Sequence, residues 1–412
     1  MEIVRMAVVG LGNRGYGLMK NAIMPIEGVE IAGVCDIYED RLQRAADYVK
    51  DKNGISPYAS VDYRNMLLKT KPDAALVATG WEMHTEIAVF CMENGIVPAV
   101  EVGALFSEEE CRLLVDTYEK TGTRIMMMEN CCFNKSEMLV TAMARAGLFG
   151  EIVHCAGAYG HDLRKEILSS EENRHYRLDF YRKHNCENYP THELGPIAKL
   201  LDINRGNRMV SLVSMSSKAV GFADYVQKHD DTINPNRKGE KILQGDVFST
   251  LITCERGETI LLRLDTSLPR FYNREFTVRG TNGLYEMGPN LVYFDGMKES
   301  FDTLWNYREY INNASQYEEE YLPESWKKMS AEGLKSGHGG MDGIEFRAFI
   351  NCLRNGLPMP VDVYDMAAWV SIGYLSEISV KNGSAPVAIP DFTHGEYKTR
   401  ERYDVFRALE TV

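Results

Sequence analysis

A tyrosine and a histidine stand three residues apart in Asn188-Tyr189-Pro190-Thr191-His192-Glu193-Leu194-Gly195-Pro196, just before the apolar segment Ile197-Ala198-Lys199-Leu200-Leu201. At a helix start that spacing lets both side chains point into one cleft. A phenol and an imidazole so placed can act as general base and general acid if burial or a charged neighbour brings their pKa toward neutrality. The same spacing suits a packed tyrosine with Thr191 or His192 capping the helix, and spacing alone does not choose. Three other polar clusters are individually weak. His161 and Arg164, in Gly160-His161-Asp162-Leu163-Arg164, follow an expected strand at 152–158 and read equally as a loop network. Tyr272 lies in Pro269-Arg270-Phe271-Tyr272-Asn273-Arg274 between two strands, and His338 precedes a helix start in His338-Gly339-Gly340-Met341-Asp342, where capping is the simpler account. The chain has no HExxH, no Cys or His pair at metal spacing and no GxSxG, so neither a metal centre nor a serine nucleophile is expected.

A second group of residues suits a dinucleotide. Met6-Ala7-Val8-Val9 is a short apolar run, followed at once by Gly10-Leu11-Gly12-Asn13-Arg14-Gly15. Gly10 permits the tight turn, Gly12 lets the backbone approach a pyrophosphate, and Gly15 lets the helix pack on the strand. The helix N-terminus, with Asn13 and Arg14 in its first turn, offers unpaired N–H groups and a positive dipole end to phosphate. A second apolar run, Glu30 to Cys35, stops at Asp36, 21 residues beyond Gly15. A carboxylate there accepts from ribose hydroxyls and repels a 2′-phosphate, so NAD is expected over NADP.

These groups need a scaffold, and the hydrophobic pattern describes one. Asp73-Ala74-Ala75-Leu76-Val77-Ala78-Thr79, Val97-Pro98-Ala99-Val100-Glu101 and Arg124-Ile125-Met126-Met127-Met128-Glu129 are continuous runs of the kind buried on both faces. Ser107 with Glu110 forms a capping box, and Gly122 is a suitable helix stop. Strands alternating with helices predict a parallel, doubly wound sheet, a Rossmann domain over 1–134. Ligands of such sheets sit beyond the carboxyl ends of the strands. Thr79, Glu101 and Asn130, at or just past three such ends, are therefore taken as cofactor contacts. Trp81 and His84, which follow Thr79 into the next helix, are taken with them, although His84 reads equally as a residue of the helix N-terminus.

From 135 to 412 the pattern becomes α+β. Val210–Met215, Val247–Cys254, Thr259–Thr266 and Glu275–Arg279 are strand-like, Glu255-Arg256-Gly257-Glu258 is a hairpin turn, and Thr281-Asn282-Gly283 opens another. This half predicts an open-faced, mostly antiparallel sheet. The stretch from Met287 to Gly340 is acidic, aromatic and irregular, and helical patterns follow at Asp342–Asn355 and Asp362–Val380.

Composition narrows the function classes. With 412 residues the chain suits two domains. A formal net charge of -13, with no Lys/Arg cluster, argues against a nucleic-acid partner. No run of 18 apolar residues suggests a membrane span. The N-terminus leads straight into the first strand, leaving no room for a signal peptide. The nine cysteines are scattered and without a CxxC pair, so reduced thiols and a cytoplasmic location are expected.

Taken together the segments resemble the Gfo/Idh/MocA oxidoreductases, and more closely glycoside hydrolase family 109, the NAD-dependent alpha-N-acetylgalactosaminidases of that superfamily. Gly10-Leu11-Gly12-Asn13-Arg14-Gly15 is similar to the family's phosphate turn, and Met128-Glu129-Asn130-Cys131-Cys132 to its motif after the last Rossmann strand. Gly160-His161-Asp162-Leu163-Arg164, Tyr189-Pro190-Thr191-His192, Asp202-Ile203-Asn204-Arg205-Gly206 and Leu212-Val213-Ser214-Met215-Ser216-Ser217 resemble motifs of its substrate domain. His338-Gly339-Gly340-Met341-Asp342, Cys352-Leu353-Arg354-Asn355-Gly356-Leu357-Pro358 and Asp362-Val363-Tyr364-Asp365 continue the likeness, which spans nearly the whole chain. There are departures. Glu193 stands where the family usually has a small residue. Val102, in Glu101-Val102-Gly103, stands where ordinary sugar dehydrogenases of the superfamily carry a lysine.

The resemblance implies a glycosidase that uses NAD⁺ as a recycled oxidant. C3 of the sugar is oxidised, C2 is deprotonated, the aglycone is eliminated from C1, water adds, and C3 is reduced again. Tyr189 and His192 are then the catalytic residues, with His161, Arg164, Tyr272 and His338 as sugar contacts. A net NAD-dependent oxidoreductase acting on a sugar, sugar acid or glycoside is the alternative, and a non-enzymatic NAD sensor the third. The substrate would be a small glycoside met inside the cell, and the protein a homo-oligomer, a dimer or tetramer.

Overall fold

The computed structural model describes residues 3–103, 107–229, 233–297, 305, 307–331 and 338–410. They form two compact units, one of Met1–Asn134, Pro323–Ala367 and Glu401–Val412, the other of Lys135–Leu322 and Ala368–Arg400.

The first unit alternates β1 (Val4–Val9), α1 (Asn13–Leu18), β2 (Val29–Cys35), α2 (Glu39–Asn53), β3 (Tyr58–Ser60), α3 (Tyr63–Thr70), β4 (Ala74–Val77), α4 (His84–Glu93), β5 (Val97–Glu101), α5 (Glu108–Thr121) and β6 (Met126–Met128). The strands pair in the order β3-β2-β1-β4-β5-β6, all parallel. The strand order reverses between β1 and β4, where a doubly wound sheet opens a crevice for a ligand. Every residue of β4, β5 and β6 is buried, as continuous apolar runs predict for strands covered on both faces. Ser107 Oγ accepts from the Glu110 N–H at 3.2 Å to cap α5, and Gly122 at φ +67° ends it. Strand β3 is too short and too polar to stand out in the sequence.

The C-terminal segments complete this unit. The Met127 N–H donates to the Val361 carbonyl at 3.1 Å, so residues near 361 occupy the outer edge of β6. Arg124 donates to the carbonyls of Cys352 and Leu357. An uncovered edge strand would present unpaired backbone groups to other chains. The helix Met341–Arg354 packs against β1 and the π-helical segment Met19–Ile23.

The second unit is built on an eight-stranded sheet. In chain order its strands are β7 (Ile152–Gly160), β8 (Met209–Ser216), β9 (Val247–Cys254), β10 (Thr259–Asp265), β11 (Thr277–Gly280), β12 (Gly283–Glu286), β13 (Leu291–Phe294) and β14 (Val387–Ala388). They pair as β13-β12-β11-β7-β10-β9-β8-β14, with β7–β10 parallel and the other pairs antiparallel. Burial alternates along β9 and β10. Ile252, Ile260, Leu262 and Leu264 face the core, while Met215, Leu251 and Leu261 stay exposed on the open face. The turns expected at 255–258 and 281–283 join β9 to β10 and β11 to β12. Of the irregular stretch 287–340, residues 298–304, 306 and 332–337 lie outside the described residues; the rest carries β13 and short helices. All nine cysteines are buried and unbridged. Among the described residues no helix is long and apolar enough to cross a membrane.

Candidate active site

In the second unit the helix Thr191–Leu200 lies across β7, and its first turn carries His192 and Glu193. Pro190 sits at the N-cap with φ −68°, the value its ring imposes, so the chain enters the helix already shaped. Pro196 has no N–H to give to the His192 carbonyl four residues back. The helix can approach closely because β7 offers Gly157: a Cβ there would lie 2.8 Å from Glu193 Cβ and 3.1 Å from its carbonyl oxygen.

That approach brings Tyr189 and His192 onto Tyr159, two residues along β7 from Gly157. The Tyr159 and Tyr189 rings are 4.5 Å apart and tilted by 34°. His192 stands edge-on to both, 5.4 Å from Tyr159 and 4.8 Å from Tyr189. Tyr159 Oη is 3.2 Å from His161 Nδ1, and Tyr272 lies 5.2 Å from the His161 ring. Tyr272 arrives there because its loop continues the sheet. The Gly160 N–H donates to the Asn273 carbonyl at 3.1 Å, and the Asn273 N–H returns a bond to Gly160 at 2.9 Å. Four of the residues expected from the sequence are thus gathered: Tyr189, His192, His161 and Tyr272.

Two cations hold fixed charge at this cluster. Arg177, 8% exposed, lies 5.4 Å from the Tyr189 ring centre and donates to Glu166 at 3.3 Å. Burial opposes its charge, but Tyr176, Tyr159, Glu166 and Tyr189 outweigh that and keep the guanidinium protonated. Arg274, paired with the buried Glu137 through Nε at 2.7 Å, donates to Tyr272 Oη at 3.1 Å. Burial pushes the Tyr159 phenol up, so it stays protonated at neutral pH. Burial likewise lowers His161, opposed by Glu166, which leaves a neutral ring able to accept a proton.

Tyr159 and Arg177 were not singled out from the sequence. Tyr159 had a readable signal, since it follows directly on the strand expected at 152–158 and alternates with His161. Arg177 had none, because a charged residue in an unremarkable segment declares its burial only in the fold. Arg164 is not in the cluster. It forks onto Asp162 at 2.7 and 2.8 Å and lies 4.5 Å from the Tyr225 ring centre. His338 belongs to the first unit, where its Nδ1 is 3.1 Å from Asp342.

The first unit carries the glycine turn expected to hold a dinucleotide. Gly10 has φ +94°, and a Cβ there would meet the Ala78 carbonyl oxygen at 2.4 Å; one at Gly15 would meet the Gly10 carbonyl oxygen at 2.0 Å. The turn tolerates no side chain at either position. No side chain caps α1 at Gly12, so its first amides remain directed at the crevice. Asp36 accepts from the Leu11 N–H at 2.7 Å and the Tyr38 N–H at 2.9 Å, which fixes its carboxylate beside the turn. A glycine cradle with a carboxylate at the end of the second strand fits a dinucleotide with free ribose hydroxyls.

Arg14, within the turn, is clamped. Its Nε donates to Glu101 at 2.9 Å, and its two terminal nitrogens donate to Asp342 at 2.7 and 3.0 Å. Asn130 donates to the same carboxylate at 2.7 Å. Burial alone would raise Asp342, but the bonds from His338, Arg14 and Asn130 overcome it and hold the carboxyl well below the usual range. Thr79 Oγ1 donates to the Gly80 carbonyl at 3.2 Å, and His84 Nε2 is 3.3 Å from the Thr79 carbonyl. Burial pushes His84 down to about 4, so its ring is neutral at physiological pH. Trp81 packs on Gly103, where a Cβ would lie 2.6 Å from the indole.

Residues 4–129 match the model of an oxidoreductase family with an NAD-binding Rossmann fold, and residues 133–399 match that of the glycosyl hydrolase 109 C-terminal domain. A glycosyl hydrolase family 109 protein of Solibacter usitatus is 39% identical over 407 residues, which cover 97% of this chain and 90% of that protein. Solved structures share the fold at low identity. Myo-inositol 2-dehydrogenase from Lactobacillus plantarum superposes with a TM-score of 0.66 at 16% identity, over 94% of this chain and 100% of its own. An inositol dehydrogenase homolog from Azotobacter vinelandii, complexed with NAD⁺, gives 0.65 at 16% identity over 94% and 97%. The cofactor of the Rossmann unit is NAD, and the chain is an enzyme of the Gfo/Idh/MocA type. Its two matched domains and its near full-length identity to relatives place it in one group: the chain belongs to glycosyl hydrolase family 109.

Proposed function

We propose that the protein is an NAD-dependent glycosidase that cleaves small glycosides through transient oxidation at C3. The observation that carries this reading is the phenol–imidazole pair of Tyr189 and His192, 4.8 Å apart on a tyrosine floor, in a family 109 chain with an NAD-binding unit. When bound, NAD⁺ supplies a two-electron oxidant that is regenerated within one turnover. C3 of the sugar loses a hydride and its hydroxyl loses a proton, giving a ketone that acidifies the C2–H. The C2 proton leaves to a base, and the aglycone departs from C1 with a proton, leaving a C1–C2 double bond. Water then returns hydroxide to C1 and a proton to C2, and reduction restores the C3 alcohol. The sum is glycoside plus water giving sugar plus aglycone, without the carboxylate pair that flanks the bond in ordinary glycosidases.

His192 is assigned the C3 hydroxyl proton and Tyr189 the C2 proton. The Arg177 guanidinium lies 5.4 Å from the Tyr189 ring centre and holds a positive charge beside it. His161 and Tyr272 are assigned to sugar contacts. Arg164 and His338 carry the weaker assignment, each being engaged by an aspartate. Val102 supplies no proton at the position where sugar dehydrogenases of the superfamily have lysine, which favours recycling over net oxidation. The reading further places the enzyme in the cytoplasm as a dimer or tetramer; the exposed Met215, Leu251 and Leu261 of the open sheet face support association.

Hydrolysis of chromogenic glycosides in D₂O tests the mechanism. Recycling predicts free sugar carrying deuterium at C2 with no accumulation of reduced cofactor. Hydrolysis without deuterium at C2 overturns it, and reduced cofactor accumulating with a keto-sugar identifies a net oxidoreductase instead.

A further inference from the structure

The turn that carries Tyr189 and the helix that follows it carry two acids for which the proposed reaction has no use. Glu187 is fully buried, and among the described residues no donor meets either of its carboxyl oxygens in hydrogen-bonding geometry. Its turn is pinned by three hydrogen bonds to two residues, Ser376 and Gln244. The Glu187 N–H donates to Ser376 Oγ at 2.8 Å, the Cys186 N–H to Gln244 Oε1 at 3.2 Å, and Asn188 Nδ2 to the same oxygen at 3.1 Å. Glu193, 2% exposed, stands one helical turn beyond with its Cβ on Gly157. Its carboxyl neighbours that of Glu187, as do the backbone N–H groups of Tyr189 and Leu264.

Gly157 and Tyr159 point to the same side of β7, about 7 Å apart along the strand. The acids therefore lie beside the floor on which Tyr189 and His192 rest. Burial dominates at Glu187 and pushes its carboxyl up to about 8, against the pull of those neighbours. The other charged groups near this turn, Glu377 and Lys381, act on Cys186 and pair with each other at 3.2 Å. Two buried carboxylates side by side repel; one proton between them replaces repulsion with a strong charge-assisted bond.

We propose that Glu187 and Glu193 form a proton-sharing carboxyl pair that positions Tyr189 and His192 by tying the 186–190 turn to the first turn of the helix. Both are positioning residues. Only the consequence for turnover rests on the proposed glycosidase; the pair itself does not. The infrared spectrum of the full-length protein reports a protonated buried carboxyl directly. The carbonyl band of one such acid is expected to disappear in both Glu187→Gln and Glu193→Gln. A band unchanged in both variants overturns the pair.

Position is read without any substrate from the His192 ring protons, which the edge-on packing against Tyr159 and Tyr189 shifts upfield. Histidine-labelled NMR, with His192→Gln to assign the signal, is expected to show that shift lost in Glu193→Leu. It should be kept in the Glu187→Gln/Glu193→Gln double variant, whose amides can still bond to each other. A His192 signal unmoved in a folded Glu193→Leu protein overturns the positioning role, as does a signal lost in a folded double variant. Absence of glycosidase activity in the parent protein would sink the proposed function and leave these two measurements standing.

Discussion

Asp342 is the residue whose removal should reach furthest. Its carboxylate, 2% exposed, takes two bonds from Arg14 and one from Asn130, with His338 Nδ1 at 3.1 Å. Asp342→Asn keeps the shape and one acceptor but removes the charge. Breaking a buried ion pair from one side costs about 3–5 kcal/mol. The Arg14 side chain is one-third exposed, so solvent screening reduces the expected loss to about 2–3 kcal/mol. The acid dependence has a definite sign. A carboxyl held below its unfolded value contributes stability above pH ~4, and that stability fades as pH falls further. The gap between parent and variant should therefore be full at pH 7 and shrink below pH ~4. Urea denaturation followed by circular dichroism at both pH values measures it. Because Arg14 lies in the glycine turn, NAD should also bind Asp342→Asn about tenfold more weakly, a cost of ~1.4 kcal/mol. A variant within about 0.5 kcal/mol of the parent at pH 7, or a gap that persists undiminished in acid, would refute the account of the clamp.

Three further outcomes are expected. Tyr189→Phe and His192→Ala should each lower turnover by ~10²-fold or more while leaving NAD affinity within a few-fold; near-normal rates in both, on a glycoside the parent cleaves, would return the pair to a packing and capping role. Calorimetric titration should give much tighter binding of NAD than of NADP, and Asp36→Ala should narrow that preference, since the carboxylate beside the turn is what repels a 2′-phosphate; equal affinities in the parent would show that Asp36 does not discriminate. Gly10→Ala should abolish measurable NAD binding, because its methyl would lie 2.4 Å from the Ala78 carbonyl oxygen; retained affinity would mean the turn can move.

The first unit was largely legible because its signals are local. Gly10, Gly12, Gly15 and Asp36 each answer to a backbone or charge requirement of their own neighbourhood, and the runs at 74–77, 97–101 and 126–128 are buried on both faces. What the sequence withheld there is long-range. Nothing near Arg14 announces a carboxylate 328 residues away, nor that residues near Val361 would finish the edge of β6. In the second unit the pair Tyr189–His192 was visible through its spacing and resemblance. Its surroundings were not, because Tyr159 and Tyr272 reach it through sheet pairing and Arg177 from the start of the helix Arg177–Lys183. Glu193 was visible as a departure from the family pattern, but Glu187, the partner proposed for it, stands out only once the fold shows it fully buried.

The nine thiols carry a practical consequence. Each is enclosed, and burial raises Cys35, Cys91, Cys111, Cys155, Cys186, Cys254 and Cys352 above the ordinary thiol range. Thiolate is the reactive form, so alkylating reagents and peroxide should find almost nothing to attack while the chain stays folded. Every modification then reports a moment of opening. Cys35 and Cys111 watch the Rossmann sheet and its helix α5, whereas Cys155, Cys186 and Cys254 watch the sheet unit and the turn beneath Tyr189. Mass-resolved alkylation would therefore read the local breathing of each unit separately, with no label introduced and no residue replaced.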